Sequence, residues 1–133
     1  MSLSTNITDG VVILRPFQKD DTQELYTAVR ESLIDVKPWM SWAHDGYSME
    51  DSRSFIAITR ARWEEKTLFA FVIMDANTGS VLGGISLSHI HPVYHLCNVG
   101  YLVRTSRHGE GIAGHATKLA ASFGFEHAVL FRA

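Results

Sequence analysis

Three apolar, β-prone runs follow one another in the middle of the chain: Leu68 to Met74, Val81 to Ile90 and Leu96 to Val103. Only turn chemistry separates them, Asp75-Ala76-Asn77-Thr78-Gly79-Ser80 after the first and His91-Pro92 after the second. Short turns between extended runs make hairpins, so the three strands are expected to form one antiparallel meander. Ahead of it, Val11 to Leu14 reads as a strand stopped by Arg15-Pro16, because proline cannot donate to a ladder. Leu25, Ala28, Val29 and Leu33 recur at helical spacing behind the capping candidates Asp20 and Asp21, which predicts a helix near 21–32. Ser48 and Asp51 resemble a capping box, and behind them Phe55, Ile56, Thr59 and Trp63 share one face of a second helix reaching about Glu65. Between the two helices, Lys37-Pro38-Trp39-Met40-Ser41-Trp42 reads as an aromatic-rich loop. After the meander, Ile112, Ala116, Leu119, Ala120 and Phe123 predict a helix over 109–126, and Val129 to Arg132 reads as the start of a last strand. The fold class implied is α/β in the α+β sense, a mixed and mostly antiparallel sheet flanked by helices.

The 133 residues leave room for one domain, expected over 1–133, and a 46% apolar content is enough to fold it. Twelve basic and fourteen acidic side chains give a formal charge of −2, a poor basis for binding a nucleic-acid backbone. Cys97 is the only cysteine, which excludes an internal disulfide and a thiolate-rich zinc site. No apolar run approaches a membrane span and the first ten residues lack the regions of a signal peptide, so a cytoplasmic protein is expected. His89, His91 and His95 lack a convincing further ligand, and no metal is expected.

The segment Arg104-Thr105-Ser106-Arg107-His108-Gly109-Glu110-Gly111-Ile112-Ala113-Gly114 lies between a predicted strand and a predicted helix. A helix start offers unpaired N–H groups of positive partial charge, and glycines let an anion approach the main chain. Phosphate binding is the functional reading, and a tight connection that binds nothing is the bland one. A Walker loop is excluded because Ile112, not lysine, follows Gly111. Gly109 to Gly114 spells the dinucleotide fingerprint G-x-G-x-x-G, but it follows hairpins rather than opening a parallel βαβ unit.

The order of elements resembles the GNAT acetyltransferase superfamily, and the wording resembles its RimJ/RimL-type branch, which acetylates protein N-terminal amines. Leu14-Arg15-Pro16 looks like the opening strand of that branch, and Lys37 to Ala43 like its aromatic loop near the acceptor. Asn98-Val99-Gly100-Tyr101-Leu102-Val103 resembles its central strand, and Gly109-Glu110-Gly111-Ile112-Ala113 its pyrophosphate loop. The chain departs from the pattern in having Ser106 where glutamine or arginine is usual and His108 before Gly109. The family's last strands and a further helix have no counterpart here, so a C-terminally incomplete domain is expected, with little activity of its own.

The resemblance implies acetyl-CoA as cofactor and a primary amine as acceptor, with peptide N-termini as the expected acceptors. It places the backbone N–H of Leu102 against the thioester, with Val103 along the pantetheine arm and backbone groups of His108, Gly109, Glu110, Gly111, Ile112 and Ala113 around the pyrophosphate; Tyr101 and Gly114 complete the cofactor-binding candidates. Glu110 has the wrong charge for that task and is expected to face water. Asn98 can orient a water but cannot act as a base at neutral pH. Trp39, Trp42, His44, Asp45 and Tyr47 are the acceptor-binding candidates, packing of the loop being their alternative role. A polyamine acceptor, a CoA-binding module without turnover and an interaction fragment remain open. The apolar run at Val129 to Arg132, read as an uncovered edge strand, implies self-association into a homo-oligomer.

Overall fold

The computed structural model describes residues 6–36, 46–65, 67–91, 96–104, 107 and 109–132. The chain runs β1 (Ile7–Thr8), β2 (Val12–Pro16), a 3-10 turn (Lys19–Asp21), α1 (Thr22–Val36), α2 (Met49–Glu65), β3 (Leu68–Asp75), β4 (Val81–His91), β5 (Leu96–Val103) and α3 (Ile112–Arg132). The strands form one sheet in the order β1-β2-β3-β4-β5, antiparallel at every pairing, so the meander is present as expected. β1 is an added edge strand, paired to β2 through Ile7 opposite Leu14.

Alternation sorts the strand residues onto two faces. Phe69, Phe71 and Ile73 of β3, with Val12, Leu14, Leu87 and Val103, face α3 and meet Ile112, Ala116, Ala120 and Phe123. Trp63, from α2, closes this layer: its ring centre lies 4.9 Å from Phe69, 5.3 Å from Phe71 and 5.6 Å from Phe123. Because β2 ends at Pro16 opposite Phe71, the carbonyl of Ala70 has no ladder donor, and the Trp63 indole N–H donates to it at 2.8 Å. Ala70, Val72 and Leu102 face the other way, toward Phe17, Leu25, Val29 and Ile56 of the α1 and α2 layer.

The capping box forms: the backbone N–H of Ser48 donates to Asp51 Oδ2 at 2.8 Å, and the Asp51 N–H reaches Ser48 Oγ at 3.4 Å. At the start of the chain's first helical segment, Asp21 accepts from the Gln18 N–H at 2.7 Å and from both Arg15 guanidinium nitrogens at 2.8 Å. The last-strand expectation is not met. Residues 129–132 continue α3, so the uncovered edge invoked for self-association is not formed by them. A short apolar run is compatible with either a strand or a buried helix turn, and the helix already under way decides it.

Candidate functional site

The glycine loop is carried between β5 and α3, and its two ends are fixed by arginines. The Arg104 N–H donates to the Leu82 carbonyl at 2.8 Å, and its guanidinium reaches the Val81 carbonyl at 3.1 Å and the Glu31 carboxylate of α1 at 3.1 Å. Arg107 turns back onto Arg104 through a backbone bond of 3.0 Å. Its side chain is held between two carboxylates, Asp75 at 3.0 Å and Glu110 at 2.8 and 2.9 Å. The pairing raises Arg107 above its ordinary pKa, first through Glu110 and then through Asp75. Glu110 is held below the usual carboxylate range by Arg107, and Asp75 by the Asn77 N–H and then by Arg107. Glu110 is half exposed, as expected, but it is ion-paired rather than only hydrated.

Gly109 and Gly111 sit at φ +88° and +75°, and among the described residues no atom beyond their chain neighbours lies within 4 Å of where a Cβ would stand on either. Left-handed backbone here leaves an open surface of main chain just before Ile112. The first bond of the helical ladder runs from the His115 N–H to the Gly111 carbonyl at 3.1 Å. The N–H groups of Ile112, Ala113 and Gly114 therefore have no acceptor inside the helix. Ile112 is buried and anchors the helix start, while Gly114 faces outward with nothing near it. On the far side, His115 Nδ1 lies 2.6 Å from Asp9, which ties the helix start to the β1–β2 turn. Burial would raise Asp9, but the N–H groups of Val12 and Val11 and then His115 outweigh it and hold the carboxyl below its usual range.

Along β5 the hydrogen-bond phase follows from one bond. The register pairs Gly83 with Val103 and Gly84 with Leu102, and Arg104 donates to Leu82 in continuation of it. Antiparallel ladders alternate, so Gly100 and Leu102 turn their peptide groups toward β4, and Tyr101 and Val103 turn theirs away. This corrects the expectation for Leu102. Its amide serves the sheet, its side chain is buried among Ala70 and Val72, and the outward amide belongs to its neighbour Tyr101. Among the described residues β5 is the edge of the sheet, and Tyr101 is half exposed there.

The acceptor candidates divide. Trp39, Trp42, His44 and Asp45 lie outside the described residues, as does His108 on the cofactor side. Tyr47 is 6% exposed, stacks on Tyr26 with ring centres 6.2 Å apart and bonds the Ser52 hydroxyl at 2.6 Å. It is a packing residue of the α1–α2 layer, and burial raises its phenol above the ordinary value. Asn98 occupies the β5 position opposite Ser88. Sequence reading missed Asp75, Arg104, Glu31, Asp9 and His115 as fixtures of the site, because each acts across a long separation that no local motif marks. Among the described residues no helix is long and apolar enough to cross a membrane, and no group of three His, Cys, Asp or Glu side chains could hold a metal ion.

Comparison with known proteins agrees with this fold. No curated protein sequence matches the chain. Among solved structures, a Vibrio cholerae protein assigned as a ribosomal-protein-serine acetyltransferase superposes with a TM-score of 0.82 at 21% identity, covering 96% of this chain and 70% of that one. The microcin C7 self-immunity acetyltransferase MccE, solved with acetyl-CoA and AMP, gives 0.80 at 20%, covering 92% and 66%. RimL, a ribosomal L7/L12 α-N-protein acetyltransferase solved with coenzyme A, gives 0.79 at 18%, covering 90% and 67%. At such identities these likenesses establish the fold, and the chain spans about two thirds of the length of each. The acetyltransferase (GNAT) domain model matches residues 12–132, nearly the whole chain, which therefore belongs to the GNAT family of acetyl-CoA-dependent acetyltransferases.

Proposed function

We propose that this chain binds acetyl-CoA at the β5–α3 junction and directs acetyl transfer to the N-terminal amine of a protein or peptide. One observation carries the cofactor half of that reading: an open, left-handed glycine cradle stands directly before a buried helix start, on the end of a strand whose Tyr101 amide faces outward. The residues present fit the group. Gly109, Gly111, Ile112, Ala113 and Gly114 would hold the pyrophosphate through main-chain N–H groups, which favour an anion by geometry and by the helix dipole. Tyr101, with its peptide group turned from β4, would run beside the pantetheine arm. In this reading Tyr101, not Leu102, presents the amide to the thioester carbonyl.

Bound acetyl-CoA supplies the acetyl group as an activated thioester. The protein must admit the acceptor amine uncharged and stabilise negative charge on the carbonyl oxygen, for which a fixed backbone N–H is well suited. Asn98, on the same strand, would orient a water or the amine but take up no proton. The peptide acceptor is supported by the likeness to the Vibrio cholerae protein and RimL, both described as acting on ribosomal proteins. Trp39, Trp42, His44 and Asp45 are proposed to meet that acceptor, while Tyr47 is withdrawn from the set because it is buried.

The test combines calorimetry with a thiol-release assay on the purified chain. CoA should bind, and peptides with free N-termini should release thiol faster than spermidine does. Acetylation of spermidine with none of any peptide would replace the acceptor assignment, and absence of CoA binding would remove the cofactor site.

A further inference from the structure

Asp75 ends β3, 32 residues before Arg107, and is almost buried, although a carboxylate at a hairpin turn is ordinarily solvated. Its two oxygens are divided between two tasks. Oδ1 accepts from the backbone N–H groups of Asn77 and Thr78, at 2.8 and 3.3 Å, and so shapes the β3–β4 turn. Oδ2 accepts from Arg107 at 3.0 Å. Arg107 in turn grips both oxygens of Glu110, the residue between Gly109 and Gly111. The rigid hairpin is thus connected through one guanidinium to the centre of the glycine cradle.

We infer that Asp75 is a positioning residue for the anion-binding loop, acting through Arg107 to fix Glu110 and the left-handed glycines on either side of it. The inference rests on the reading of this loop as the cofactor site, and it assigns Arg107 to the scaffold rather than to the phosphates. Simple Coulomb reasoning gives the opposite sign. Asp75, Arg107 and Glu110 together carry one net negative charge beside a site for a polyanion, so neutralising Asp75 should strengthen binding if charge were all that mattered. If position matters more, the same change weakens it.

Asp75→Asn separates the two accounts, since an asparagine oxygen still accepts from Asn77 and Thr78 while the charged partner of Arg107 is gone. The expected result is a rise in KM for acetyl-CoA of about five-fold, the scale of a well-placed partly exposed ion pair, with kcat unchanged. Arg107→Lys, which keeps the charge and loses the fork, should give the same rise. In the Asp75→Asn, Arg107→Gln double variant the effects should fail to add, because either change alone opens the connection. Hydrogen exchange on the ligand-free protein supplies a readout that needs no cofactor: the amides of Gly109, Gly111 and Ile112 should exchange faster in Asp75→Asn, with β4 unchanged. Unaltered exchange, or tighter CoA binding, would overturn the positioning role. Failure of the wild-type protein to take up CoA would instead overturn the cofactor reading, with exchange still deciding the role of Asp75.

Discussion

The seam between β4 and β5 and the loop that follows β5 both depend on glycine, for opposite reasons. At Gly83 there is no room: a Cβ would lie 1.9 Å from the Leu102 carbonyl oxygen and 2.8 Å from its carbon, both backbone atoms. At Gly109 and Gly111 there is nothing but room, and the constraint is a positive φ together with the need to keep the main chain bare. The first glycine lets two strands approach, and the second pair is proposed to let a ligand approach. If the first is a condition of folding and the second a condition of binding, substitutions at the two places should fail in different assays.

The largest effect is expected at the seam. Gly83→Ala cannot be absorbed by a side-chain rotation, because the atoms in the way are backbone, and β4 must part from β5. A loss of about 3 kcal/mol or more is expected, which consumes much of a small domain's stability. Because β5 carries Tyr101 into place, CoA binding should fall with the fold. A Gly83→Ala protein with wild-type thermal stability would show that the seam has slack the close contact denies.

Gly111→Val should act in reverse order. An L-residue in left-handed conformation costs roughly 1–2 kcal/mol, more for a β-branched one, so the protein should remain folded with a modestly lowered Tm. Its isopropyl group would stand where the phosphate approaches, and CoA affinity should drop by about a hundred-fold, the loss of several charge-assisted bonds. Calorimetry on the folded variant checks this. Unchanged affinity would move the anion site elsewhere and leave Gly111 as a turn residue only.

The two regions also differ in how much of each could be read from sequence. The meander, the capping box at Ser48 and the helix face of Ile112, Ala116 and Phe123 are local patterns, and they appear where the residues put them. The glycine cradle is equally local, being one string of letters after a strand. What sequence could not give is phase. Whether Leu102 or Tyr101 turns its amide outward depends on which residue of β4 it faces, and the bond from Arg104 to Leu82 settles it. The Arg107 connection spans 32 residues to Asp75 and the His115 contact spans 106 to Asp9, distances over which no periodicity speaks. Val129 to Arg132 failed for a different reason: four apolar residues carry no period of their own.

Acid should separate the seam from the loop, since one is held by backbone and the other by charge. Asp75 and Glu110 are both depressed below the ordinary carboxylate range. A depressed folded-state pKa means the connection contributes fully above the unfolded value and is lost as pH falls through the folded one. It should therefore be intact at neutral pH and release only below the ordinary carboxylate value. In amide spectra recorded from pH 7 to 3 on the folded protein, Gly109 and Gly111 should shift with a midpoint under that value while Gly83 stays still. A loop midpoint near 5, or a Gly83 shift that follows it, would show that the carboxylates are not depressed or that the two regions are not separately held.

The smallest effect is expected at Gly100, a glycine that belongs to neither class. A Cβ there would meet only the Ser86 hydroxyl oxygen at 3.6 Å, an ordinary contact, and its φ is not among the positive ones. Glycine inside a strand costs conformational entropy without a compensating contact, so Gly100→Ala should stabilise the protein by about 0.5 kcal/mol. The new methyl points along the face that carries Ser86, whereas the Tyr101 amide points out of the sheet edge, so CoA affinity should stay within about two-fold, the limit set by side chains that touch nothing at the site. Denaturant unfolding and calorimetry on one preparation decide both halves. A large loss of affinity without a loss of stability would mean that the cofactor lies over the face of β5 rather than along its edge, and the role given to Tyr101 would have to be withdrawn.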